Sequence, residues 1–169
     1  MKAILHLLVM TGLVILVGYA QAAHINIAWP APQLHLGVGT LGATVDTVSF
    51  VVPSGSEGSG VPVVGSAPVL IEVATRRAGF GTIAYLVVDS FNPLTNGPYT
   101  IPMTEISWTS VGQIGAGTYN GTTNQLLLLF WAGNGTRRRE ATHTFSYANT
   151  TVPVGGTYSG TVTYTAGVL

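Results

Sequence analysis

Three observations predict an all-β fold, an antiparallel sandwich of about seven to eight strands preceded by a helical signal peptide. Apolar residues recur with a two-residue period. Gly- and Pro-rich turns separate these stretches, and no helical period follows residue 22. The clearest stretch closes the chain: Tyr158, Gly160, Val162, Tyr164, Ala166 and Val168 fall on one side of an extended segment, with Thr157, Ser159, Thr161, Thr163 and Thr165 on the other. Such a strand needs a sheet to pair its backbone and cover its tyrosine and valine face.

Met1 and Lys2 supply one positive charge, Ala3 to Tyr19 is apolar apart from a few residues such as His6 and Thr11, and Ala20-Gln-Ala22 has the small-x-small form of a cleavage site. This predicts a signal peptide over 1–22, with Ala23 the first mature residue, and a single β-sandwich domain over 23–169. The apolar run approaches the roughly 18 residues of a membrane span, so an uncleaved signal is the one route to a membrane. The expected location is secreted, periplasmic or on the cell surface of a bacterium.

Removing 22 of 169 residues leaves 147, with five arginines and six acids and so a net charge near −1. So few charges speak against nucleic-acid binding, which rests on many Lys and Arg contacts to phosphate. The chain has no cysteine, which excludes a disulfide scaffold. Stability must come from a core or from association.

In chain order, Ile25, Ile27 and Trp29 share one face of an alternating arm that Pro30 and Pro32 interrupt. A Pro-x-Pro pair confines this segment to an edge or a detached arm. Leu34 and Leu36 resume the alternation. Ala43 to Val52 places Val48, Phe50 and Val52 on one face and predicts a strand, followed by a flexible loop over 53–60. Val69 to Thr75 and Thr82 to Asp89 predict two more, the second apolar on both faces and therefore buried on both. Asn92 to Pro98 is turn chemistry. Met103 to Trp108 predicts a strand, and the unbroken run Leu126 to Phe130 predicts a central one. Ala141 to Ala148 alternates His143, Phe145 and Tyr147 with Thr142, Thr144 and Ser146.

No catalytic, metal-binding or cofactor-binding signature emerges. His24, His35 and His143 lack ligand spacing, the acids are scattered singly, and neither a Gly-x-Ser-x-Gly elbow nor a phosphate loop is present. The expectation is a protein that is not an enzyme and takes no cofactor. Arg137, Arg138 and Arg139 form a candidate anion-binding patch, with a solvated hairpin shoulder as the plainer reading. Trp29, Trp108 and Trp131 read as core residues rather than a sugar platform. Glycosylation-type triplets start at Asn120, Asn134 and Asn149, in a chain rich enough in Asn and Thr to produce them by chance.

The closing Val152-Pro-Val-Gly-Gly-Thr-Tyr-Ser-Gly-Thr-Val-Thr-Tyr-Thr165, with Pro102-Met-Thr-Glu-Ile-Ser-Trp108 and the arm His24 to Trp29, resembles bacterial chaperone-usher fimbrial subunits, particularly the cysteine-free CS1-like pilins, and the related spore coat U-like domains. The resemblance implies an immunoglobulin-like sandwich lacking one strand, which a periplasmic chaperone fills first and the arm of another copy fills afterwards. Ile25, Ile27 and Trp29 are then the strand-addition arm, and the partners are that chaperone and other copies of the chain. The alternative is a monomeric extracellular module that binds a carbohydrate or a protein through a rim including the three arginines.

Overall fold

The computed structural model describes residues 33–39 and 46–169. The signal peptide over 1–22 and the arm residues Ile25, Ile27 and Trp29 lie outside the described residues.

The strands follow the apolar period. β3 (Val69–Arg76) points Val69, Ile71, Val73 and Thr75 inward. It lies between β1 (Gln33–Val38) and β10 (Thr136–Tyr147), both antiparallel to it. β10 also pairs with β7 (Ile106–Gly112) and, near its end, with the two-residue β2 (Val63–Val64). β8 (Gly117–Thr118) extends the sheet beyond β7, giving the order β1-β3-β10-β7-β8. The second sheet has the order β11-β4-β9, with β4 (Ile83–Asp89) between β11 (Thr163–Val168) and β9 (Gln125–Trp131). A small hairpin, β5 (Leu94–Asn96) with β6 (Tyr99–Ile101), stands apart.

The inner faces share one core. Ile71 and Val73 from the first sheet and Ala84, Leu86 and Val88 from the second are fully enclosed. Between them lies a ring cluster in which Trp108 is 5.0 Å from Tyr119 and stacks on His143 at 5.6 Å. This is an all-β antiparallel sandwich, as the alternation predicts.

Four expectations need correction. Asp46 to Val52 alternates as expected, with Val48, Phe50 and Val52 against the core, but among the described residues it forms no ladder and is joined by Ser66 N–H donating to the Ser49 carbonyl at 2.9 Å. The Leu126–Phe130 run lies in a strand at the edge of its sheet among the described residues. A register shift at Leu86/Val87 leaves Leu127 without an opposite residue, so Leu127 and Leu128 both lean on the core while Leu126, Leu129 and Trp131 face outward. β4 is central, yet Ile83, Tyr85 and Val87 are only half-buried, because no described layer covers the outside of this sheet. The final strand starts at Thr163; Ser159 makes only an isolated bridge to Thr95.

Candidate functional site

The two sheets leave different flanks. On one side β1 ends the first sheet and β11 ends the second, and the two strands lie alongside each other. Among the described residues neither has a neighbour on its outer edge. Their inward side chains, Leu34, Leu36 and Val38 on β1 and Tyr164, Ala166 and Val168 on β11, are half-buried. The residues beside them in the sheets, Val73 opposite Leu36 and Leu86 opposite Ala166, are fully enclosed. This seam is therefore lined by apolar groups and by two rows of backbone groups with no ladder partner among the described residues. A shallow pocket of about 140 Å³ opens at its end, lined in part by Leu34, His35, Thr75 and Arg76. Thr75 Oγ1 is buried there without a hydrogen-bond partner.

The opposite flank is sealed by the chain itself. After β7, the 113–119 segment turns two side chains inward, Ile114 at 0% and Tyr119 at 3% exposure, while Gln113, Gly115, Ala116 and Thr118 stay exposed. Trp108 Nε1–H donates to the Gly115 carbonyl at 2.8 Å, the Ser110 hydroxyl donates to the Ile114 carbonyl, and His143 Nε2 lies 3.3 Å from that same oxygen. Gly117 is needed here because a Cβ at that position would come within 2.8 Å of the Trp108 ring. The Gln125 side chain ties β9 to this segment, donating to the Thr118 carbonyl at 2.7 Å and accepting from Asn120 N–H at 3.0 Å.

Titration inside the core follows burial. Burial holds the His143 imidazole below the usual histidine value, with the Ile114 carbonyl acting in the other direction, so the ring is neutral at pH 7. Its Nδ1 has no hydrogen-bond partner. The hydroxyls of Tyr119 and Tyr164 are 2.8 Å apart and join the sealed flank to β11. Burial pushes Tyr164 up to about 12 and raises Tyr119 further, so both remain phenols.

The three arginines do not converge. They lie in β10, where alternation sends Arg138 to the outer face and Arg137 and Arg139 to the other side. Arg138 bridges two acids that face each other across the ladder, reaching Glu72 at 2.8 Å and Glu140 at 2.6 Å. Arg139 lies over the Phe130 ring, 5.3 Å from its centroid. The Thr136–Arg139 segment is thus strand rather than hairpin shoulder.

The tryptophans also separate. Trp108 is core, as expected, whereas Trp131 is 67% exposed on the outer face with Leu126 and Leu129. Asn149, first residue of one glycosylation-type triplet, is buried; its amide donates to the Ser56 carbonyl at 2.7 Å and its oxygen accepts from Gly58 N–H at 3.0 Å. It serves as a strap for the 56–61 loop. His35 lies on the exposed face of β1.

Sequence reasoning missed the sealing residues Ile114 and Tyr119, whose segment reads as a glycine loop; the only available signal was the isolated apolar Ile114 between glycines. No family model, curated protein or solved structure matches the chain.

Proposed function

We propose that the protein is a secreted structural and adhesive subunit that assembles by strand addition. The arm carrying Ile25, Ile27 and Trp29 of one copy enters the seam between β1 and β11 of the next, and a periplasmic chaperone strand occupies that seam beforehand. The observation that carries this reading is the half-buried apolar lining of the seam beside two strand edges that have no partner among the described residues. An added strand supplies what both need: its backbone completes a ladder, and alternate side chains cover the lining. An arm with apolar residues at every second position suits this task, because one face goes inward as a unit. Because donor and acceptor are different surfaces, the contact repeats without closing and generates fibres.

Electron microscopy and unheated gels on the mature protein, and on a variant lacking residues 23–32, test the reading. Fibres and ladders are expected for the first and monomers for the second. Monomers in both cases contradict it.

A further inference from the structure

The charges of the sandwich are sorted along its strands. β3 ends on Arg76, and β10 opens beside it with Thr136 opposite Arg76 and Arg137 opposite Thr75. Arg77 follows in the loop to β4, and Arg138 and Arg139 come next in β10, so all five arginines of the described residues stand towards one pole. The acids concentrate towards the other. Asp89 ends β4, Glu105 immediately precedes β7 and accepts from the Thr150 hydroxyl at 2.7 Å, and Glu57 lies in the loop that Asn149 straps down. Asp46 packs against Gly39, whose N–H bonds the Leu70 carbonyl near the start of β3.

Apart from Arg77 and Asp46, which take part in other contacts, four arginines against Glu72 and Glu140 leave two net positive charges at the first pole, while Glu57, Asp89 and Glu105 give three negative ones towards the second. β10 alone separates its ends by roughly 35 Å at about 3.3 Å per residue. That is several times the screening length of about 10 Å at 0.1 M salt, so the poles do not stabilise each other within one chain. Within each pole the like charges repel. The segregation therefore works against the isolated fold and favours a contact between chains.

Apolar groups stand among these charges. Phe80, in the loop of the arginine pole, is 95% exposed, and Val152, which packs against Gly58 beside Glu57, is 74% exposed. We propose that copies of this chain dock pole to pole, the arginine pole of one (Arg76, Arg137 and Phe80) on the acidic pole of the next (Glu57, Asp89 and Val152). The contact joins unlike surfaces and so repeats head to tail. It uses no residue of the arm and stands apart from the strand-addition reading.

Charge reversal tests it by sedimentation velocity. Arg76→Glu with Arg137→Glu gives a chain with two acidic poles, and Glu57→Arg with Asp89→Arg gives one with two basic poles. The unmodified protein associates at about 0.1 M salt and weakens on the order of tenfold or more at about 1 M, where the screening length is about 3 Å. Each reversed chain alone loses the association, and an equimolar mixture of the two regains it. The neutral pair Arg76→Gln with Arg137→Gln loses it as well, with the near-UV spectrum of the fold unchanged.

Association that ignores salt and both reversals overturns the proposal, as does a mixture that stays monomeric. Retention on an anionic polysaccharide by a protein that never self-associates overturns it too, and assigns the arginine pole to a glycan. Replacing Ile25, Ile27 and Trp29 by Ser keeps the two readings separate: salt-sensitive association persists in that variant if the poles make the contact, whatever happens to the fibres.

Discussion

The two flanks of the sandwich enclose the same core in different ways. On the β8/β9 flank the chain turns inward and seals itself with Ile114 and Tyr119, satisfying Trp108, Ser110 and Gln125 on the way. On the β1/β11 flank the described residues supply no such segment, and Leu34, Leu36, Val38, Tyr164, Ala166 and Val168 stay half-buried. Among the described residues, both layers are built while no strand lies along the two outer edges of the seam and its apolar side chains stay half-covered.

Removing the seal gives the largest effect. Ile114→Ala deletes a fully enclosed side chain and is expected to destabilise the protein by about 2–5 kcal/mol in urea unfolding. A loss below about 1 kcal/mol would show that this flank is as loose as the other.

The next effect depends on pH and also belongs to the sealed flank. His143 is buried and neutral, with a folded pKa below its unfolded value of 6.5. The unfolded chain therefore takes up the proton first. The stability linked to this group is complete above pH 6.5 and is lost as pH falls from there through the lower folded value, with a limiting slope of about 1.4 kcal/mol per pH unit. Urea titrations between pH 7.5 and about 5 should show this slope in the unmodified protein and a shallower one in His143→Gln.

The smallest effect is expected at the seam. Leu36→Ala removes a half-buried side chain and should cost roughly 1–2 kcal/mol in a chain with its seam empty. The cost should grow when an arm strand is bound, because the same side chain is then enclosed. Equal costs in the two states would separate Leu36 from the arm.

How much of this was legible follows from particular residues. Ile71, Val73, Leu86, Val88, Phe145 and Tyr164 announce their strands by period, because alternation reports which side of a strand is apolar. Alternation does not report whether a neighbour lies against that side. Hence Ile83, Tyr85, Leu129 and Trp131 have the pattern of buried residues and face outward, and Val48 and Phe50 have the pattern of ladder residues and pair with no strand among the described residues. The arginine run, by sequence a candidate anion-binding patch or a solvated hairpin shoulder, opens β10, where Glu72 across the ladder and Glu140 on the same strand hold Arg138 in place. Those partners are 66 residues and two residues away in sequence, and only pairing reveals the farther one. The sorting of charge into poles was invisible for the same reason. Nothing in the order of residues says that Arg76 and Arg137 share a pole.

The central claim is that the β1/β11 seam accepts a strand. The direct measurement is amide hydrogen exchange, residue by residue, on a chain beginning at Pro32 with and without a synthetic peptide of residues 23–32. Amides of β1 and β11 on the seam side are expected to gain protection on the order of tenfold or more, with β9 unchanged. Unchanged exchange in β1 and β11, or protection appearing at the β9 edge instead, would contradict it.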